Sequence, residues 1–174
     1  MVRSALAQNR RIGRGPISAA AYVPAVSVIM ATLLSALPII ALNGWFPDFG
    51  FLALIAWRLL RADVWPSWWA APLGLFSDLV TGSPLGLSVV VWTSSMLALD
   101  LLDRRTQWRD YWIEWLLASL LILLHETAQW QVAAWMGARV PMSSMIPPLL
   151  IAIAAFPVAA WMASRLDRWR LGRS

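Results

Sequence analysis

Residues 74–86 read GLFSDLVTGSPLG, which sets Asp78 inside an apolar run and follows it with the turn formers Gly82, Ser83 and Pro84. A carboxylate at such a position has to find a partner, a cavity or a turn that satisfies it, because an unsolvated charge in hydrocarbon is strongly disfavoured. What Asp78 does therefore depends on whether the surrounding segments lie in a membrane.

The 174-residue chain is 60% hydrophobic and 13% charged, against roughly 25% charged in an ordinary soluble domain. Lipid is the expected solvent. The apolar segments take up most of the length and leave no room among them for a separate soluble enzyme domain. Cysteine is absent, which excludes disulfides, thiolate zinc sites, iron-sulfur clusters and cysteine nucleophiles. A single histidine rules out a multi-histidine metal cluster, and no cofactor is expected.

Six apolar runs follow one another: 20–42, 49–60, 67–80, 85–102, 111–136 and 146–164. Residues 1–19 carry four arginines with no apolar period and read as a basic cytoplasmic arm. Residues 165–174 alternate arginine with Leu and Trp and read as a basic interfacial tail. The expected fold is all-α, a bundle of six transmembrane helices over 20–164. A run of 20 residues covers the hydrocarbon core of about 30 Å, so the second and third runs are too short to span alone unless they borrow flanking residues or sit inside the bundle.

Arginine placement tests the parse independently. With the amino terminus inside, 13 of the 14 arginines fall on inner segments and only Arg139 falls outside. The positive-inside rule then predicts an even number of crossings with both termini cytoplasmic. Tryptophans agree: Trp65, Trp68, Trp69, Trp108, Trp112, Trp115 and Trp169 sit near inner boundaries, and Trp45, Trp130 and Trp135 near outer ones.

Helical rise places Asp78 roughly 16 Å and Glu126 roughly 22 Å from the inner boundary, so the two acids are expected near one level. Three readings stay open for them: a structural one, in which Asp78 accepts from backbone amides of the Gly82–Ser83 turn or of the fourth helix; a partner-facing one; and proton relay or substrate binding. His125-Glu126-Thr127-Ala128-Gln129 is not a zinc-protease motif, because Gln129 stands where the second histidine is required. His125 and Gln129 share a helix face and suit an interhelical hydrogen-bond patch. Asp48, after Pro47, is placed to cap the second helix. Gly74 is the candidate for close helix packing; Gly82 and Gly86 flank Pro84 and belong to a turn. Arg58 is expected to snorkel inward and Asp100 to pair with Arg104 at the surface.

These residues resemble those of a known family. Pro47-Asp48-Phe49, Trp57 and then Gly74-Leu75-Phe76, Asp78-Leu79, Gly82 and Pro84-Leu85-Gly86 resemble the signature of the rod shape-determining protein MreD family, over about 40 residues from the second to the fourth run. The resemblance implies a multi-pass protein of the bacterial inner membrane, similar in fold to the substrate-binding subunits of vitamin transporters. It implies a non-enzymatic adaptor of the elongation machinery that binds MreC and helps connect the MreB cytoskeleton to peptidoglycan synthesis by RodA and its transpeptidase partner. On that reading a groove of small residues near Gly74, in the third and fourth spans, receives the MreC helix. The loop over 103–110 and the arginine-rich ends face cytoplasmic partners and anionic lipid. The alternative is the substrate-binding subunit of a small-molecule transporter, with its ligand among Asp78, His125 and Glu126.

Overall fold

A computed structural model of the chain describes residues 22–41, 44–61, 66–103, 110–138 and 141–171. The basic arm over 1–19, Trp65, Arg104, Arg105, Trp108, Arg109, Arg139 and the tail residues 172–174 lie outside the described residues. No strand occurs among the described residues. Six principal helices form: α1 (Val23–Ser35), α2 (Phe49–Leu60), α3 (Ala70–Thr81), α4 (Leu87–Asp103), α5 (Tyr111–Trp135) and α6 (Ile146–Leu171). Short 3-10 turns, Ser67–Trp69 and Met142–Met145, lead into α3 and α6.

The first run is not one helix over 20–42. Pro38 has no N–H to offer a carbonyl in the preceding turn, and it pushes Leu37 out of the helical region. α1 accordingly closes with Ala36 N–H on Thr32 O and Leu37 N–H on Leu34 O, and a separate one-turn helix, Pro38–Ala41, follows. The sixth run is longer than expected. α6 continues through 165–171 as helix rather than stopping at Ser164.

The helix over Met142–Arg170, counting its leading turn, is long and apolar enough to cross a membrane; α1 and α2 are shorter apolar helices. The 12 residues of α2 rise only about 18 Å. Its shortness has a structural counterpart: nine of those residues are buried, and α2 packs against α1, α4, α5 and α6. It is the axis of the bundle.

Around that axis the remaining helices turn small and polar residues inward. The buried stripe of α3 is Ala70, Leu73, Gly74, Ser77 and Asp78, and that of α4 contains Ser88, Val91, Trp92, Ser95 and Met96. Both repeat at three and four residues, as one helical face requires. The large aliphatic side chains point the other way: Leu79, Leu85, Val90, Leu116 and Leu120 are all at least 60% exposed. The buried core is itself mainly apolar, with polar residues such as Thr32, Ser77, Asp78, Ser88, Ser95 and His125 set within it. Large aliphatic side chains over the exterior of such a core are unlike the surface of a water-soluble bundle.

Pro157 lies inside α6 and leaves the carbonyl of Ile153, one turn earlier, without its helical donor. The indole N–H of Trp115 on α5 donates to that carbonyl at 3.2 Å. The acceptor lost within one helix is thus satisfied by its neighbour.

Candidate functional site

Asp78 is 1% exposed, and both of its oxygens are occupied. Oδ2 accepts from the N–H of Gly86 at 2.8 Å and Oδ1 from the N–H of Ser88 at 3.0 Å. These are unpaired donors at the amino end of α4, where the helix dipole also favours a negative charge. Of the backbone partners open to Asp78 it takes the fourth helix; the turn itself is shaped by Gly82 at φ 71° and Gly86 at φ 96°, conformations that suit glycine. Pro84 O accepts from Leu87 N–H and closes the connection.

Gly74 makes this hairpin tight. A Cβ there would lie 2.8 Å from the backbone of Ser88 and Val89, so α3 and α4 touch main chain to main chain. The face expected to receive a partner helix is filled from within the protein. Gly74 serves the hairpin, and its face is not open to another helix.

At the opposite edge of the bundle mouth, Asp48 caps α2: Oδ1 accepts from Gly50 N–H at 2.9 Å and Phe51 N–H at 3.1 Å. Its other oxygen lies 3.4 Å from His125 Nε2 on α5. His125 is 1% exposed, stacks on Phe51 at 4.3 Å between ring centres, and sits 2.8 Å from the side-chain amide of Gln129. The pairing of His125 with Gln129 follows from their separation of four residues; the pairing with Asp48 required the fold.

Above this layer opens a cleft of about 240 Å³ lined by polar groups of Ser35, Asp48, Thr81, Glu126 and Gln129. Pro47 and Pro148 form part of its wall. Asp78 and Glu126 do not share a site. Thr81, one turn beyond Asp78, reaches the cleft in its place, while Asp78 is turned toward α4.

The other end of the bundle is held by ion pairs. Arg58 is 2% exposed. Its guanidinium pairs with Asp100 and with Asp103, the latter at 2.8 Å, and Ser67 Oγ donates to Asp100. Arg61 reaches Asp167 at 3.1 Å, Arg170 reaches the same carboxylate at 2.6 Å and lies 5.8 Å from the centre of the Trp57 ring. The carboxyl ends of α2, α4 and α6 therefore meet at one end. The cleft gathers the ends of α1, α3 and α5 with the starts of α2 and α6 at the other, which is an up-and-down arrangement.

A groove of about 340 Å³ runs along the outside between α1, α2 and α6. Ala31, Ala53, Ala155, Ala159 and Ala163 line it with Trp57 at its floor, and Trp57 is fixed by donating Nε1–H to Ser27 Oγ at 2.7 Å. Sequence reasoning missed this surface, although a signal was there: Ala155, Ala159 and Ala163 recur every fourth residue, the spacing of small residues along a helix-packing face.

Comparison with known proteins adds no relative. The chain matches no family model, no curated protein and no solved structure.

Proposed function

We propose that the chain is a non-enzymatic membrane adaptor that receives a single transmembrane helix of a partner in the alanine-lined groove between α1, α2 and α6. In this reading all six helices cross the bacterial inner membrane. Short α2 and α3 are sheltered by their neighbours, and both termini face the cytoplasm. The apolar exterior and the gathering of arginines on one side support it.

The groove is the observation that carries the reading. Helices associate in lipid through close van der Waals contact where small side chains let backbones approach, and alanines on three helices provide such a face. The likeness of the Pro47-Asp48 and Asp78 segments to the MreD family directs the choice of partner to the bitopic protein MreC. Through MreC the adaptor would link MreB with RodA and its transpeptidase partner, while the basic inner ends hold anionic lipid.

A photoreactive residue at Ala53 or Ala159 is expected to crosslink to MreC in cells, whereas one at Leu79, on an exposed face of α3, is not. Absence of an MreC adduct from every groove position would overturn the assignment.

A further inference from the structure

We propose that the lateral groove between α1, α2 and α6 holds one acyl chain of an anionic phospholipid, whose phosphate lies on Arg165 and Arg168 at the groove's inner end.

The proposal rests on the membrane reading above for its leaflet, and not on the identity of any partner. Along α6 the groove runs from Ala155 to Leu166, a rise of roughly 16 Å. That is half of a hydrocarbon core of about 30 Å, the depth of one leaflet. The groove has a volume of about 340 Å³ and walls that are almost wholly apolar. The polar side-chain groups in those walls are already used: Ser27 Oγ donates to Pro24 O and accepts the indole N–H of Trp57, both at 2.7 Å. With no free side-chain donor or acceptor, the groove suits hydrocarbon and not a polar solute.

Leu166 joins this groove to a charged site. It also lines a second cavity, of about 540 Å³, whose other described walls are Arg165, Arg168 and Trp169. Met162, Arg165, Leu166 and Trp169 follow one another at three- and four-residue spacing, so the apolar strip passes into the cationic one on a single helix face. The arginines at this end are not equivalent. Arg61 and Arg170 both pair with Asp167, the only acidic residue of α6. Arg165 and Arg168 are exposed and form no ion pair among the described residues. They are left for an anion that the protein does not supply.

A phosphate suits two guanidinium groups, which give it charge-assisted hydrogen bonds. Trp169, 54% exposed, stands beside them as an interfacial aromatic does. A free anion would use the arginines alone, and a neutral lipid the groove alone; an anionic lipid of the cytoplasmic leaflet uses both. Because the same walls are offered to a partner helix, the lipid is their occupant when no partner is bound.

The test uses the full chain in detergent without any partner protein, so it can fail while crosslinking to MreC succeeds, and the reverse. Native mass spectrometry would follow titration with dioleoylphosphatidylglycerol, with dioleoylphosphatidylcholine as the zwitterionic lipid of the same chains, and with glycerol 3-phosphate as an anion without chains. One saturable phosphatidylglycerol adduct is expected, tighter than that of phosphatidylcholine by about tenfold or more and not displaced by glycerol 3-phosphate. Arg165→Gln combined with Arg168→Gln, both at exposed positions, should weaken it by about tenfold or more. Ala159→Phe, which leaves every charge in place, should weaken it severalfold; Val158→Asn, which sets an amide against the chain, serves the same purpose if the larger side chain prevents folding. Equal affinity for the two lipids, displacement by glycerol 3-phosphate, or an affinity unmoved by the arginine pair or by the groove substitution would overturn the proposal.

Discussion

The carboxylate of Asp78 on α3 accepts the backbone N–H of Ser88 on α4 at 3.0 Å, while Gly74, one turn earlier on α3, lies against the main chain of that same serine. One residue is thus gripped twice, by a charge at the helix end and by close backbone approach. The segment that looks like a charged defect in an apolar run is the clasp of the hairpin.

Removing the clasp should be costly. Asp78→Ala takes away the acceptor of two buried backbone donors and is expected to destabilise the fold by about 3 kcal/mol. Asp78→Asn retains one acceptor oxygen and should lose less. Thermal unfolding in detergent, followed by circular dichroism, checks the order Ala worse than Asn; equal stability of all three proteins would refute the role.

Close approach makes a second demand on the hairpin. At Gly74 a methyl group meets backbone, which cannot swing aside, so Gly74→Ala should cost about 1–3 kcal/mol. At Gly82 the Cβ has open space, but φ is 71°, and alanine there should cost about 1–2 kcal/mol through backbone strain alone. Asparagine, which tolerates that conformation, should recover part of the loss at Gly82 and none at Gly74, as unfolding midpoints would reveal.

Arg58 is enclosed at the carboxyl end of α4, where its acidic partners Asp100 and Asp103 keep 33% and 23% of their side chains exposed. Arg58→Met keeps an unbranched apolar stem and removes the charge, which should cost about 1–3 kcal/mol because Asp100 and Asp103 lose their counter-ion but stay partly solvated. Adding Asp100→Asn should restore part of that stability. A double mutant whose losses simply add would show that the ion pair contributes no coupling.

Trp115 and Pro157 should be coupled in the same sense. Trp115→Phe leaves the carbonyl of Ile153 without a donor and is expected to cost about 1–2 kcal/mol. In a Pro157→Ala background the helix supplies its own N–H, and the effect of Trp115→Phe should shrink. Unfolding of the two single variants and the double variant measures the coupling.

Filling the lateral groove separates recognition from folding. Ala159→Phe places bulk on the groove wall between α6 and α1, away from the hairpin clasp. Its expected outcome is at least a severalfold loss of MreC adduct with an unfolding midpoint close to that of the parent. Undiminished crosslinking would move the partner surface off the alanines.

The absence of cysteine makes single-cysteine labelling clean for topology. Cysteines replacing Ser35 and Ser164 are expected to react from opposite sides of sealed vesicles, Ser164 from the cytoplasmic side. Labelling of both from one side would contradict the up-and-down crossing pattern.

The sequence by itself determined what depends on neighbours within a turn or two. Apolar runs located the six helices. Asp48 could be read as a cap because a cap acts on amides two and three residues away, and His125 could be read with Gln129 because four residues return to the same helical face. The break at Pro38 is equally local, since proline's missing N–H acts within its own turn, yet the reading of 20–42 as one run passed over it. Tertiary structure decided every partner that lies across a helix interface. Asp78 chose the end of α4, Arg58 turned inward to Asp100 and Asp103, Gly74 was consumed by Ser88, and Glu126 came to face Asp48 and not Asp78. Those pairings depend on how far each helix rotates about its axis and where it crosses its neighbours. Such angles are set by the simultaneous fit of all six helices, a global condition that no single stretch of residues carries.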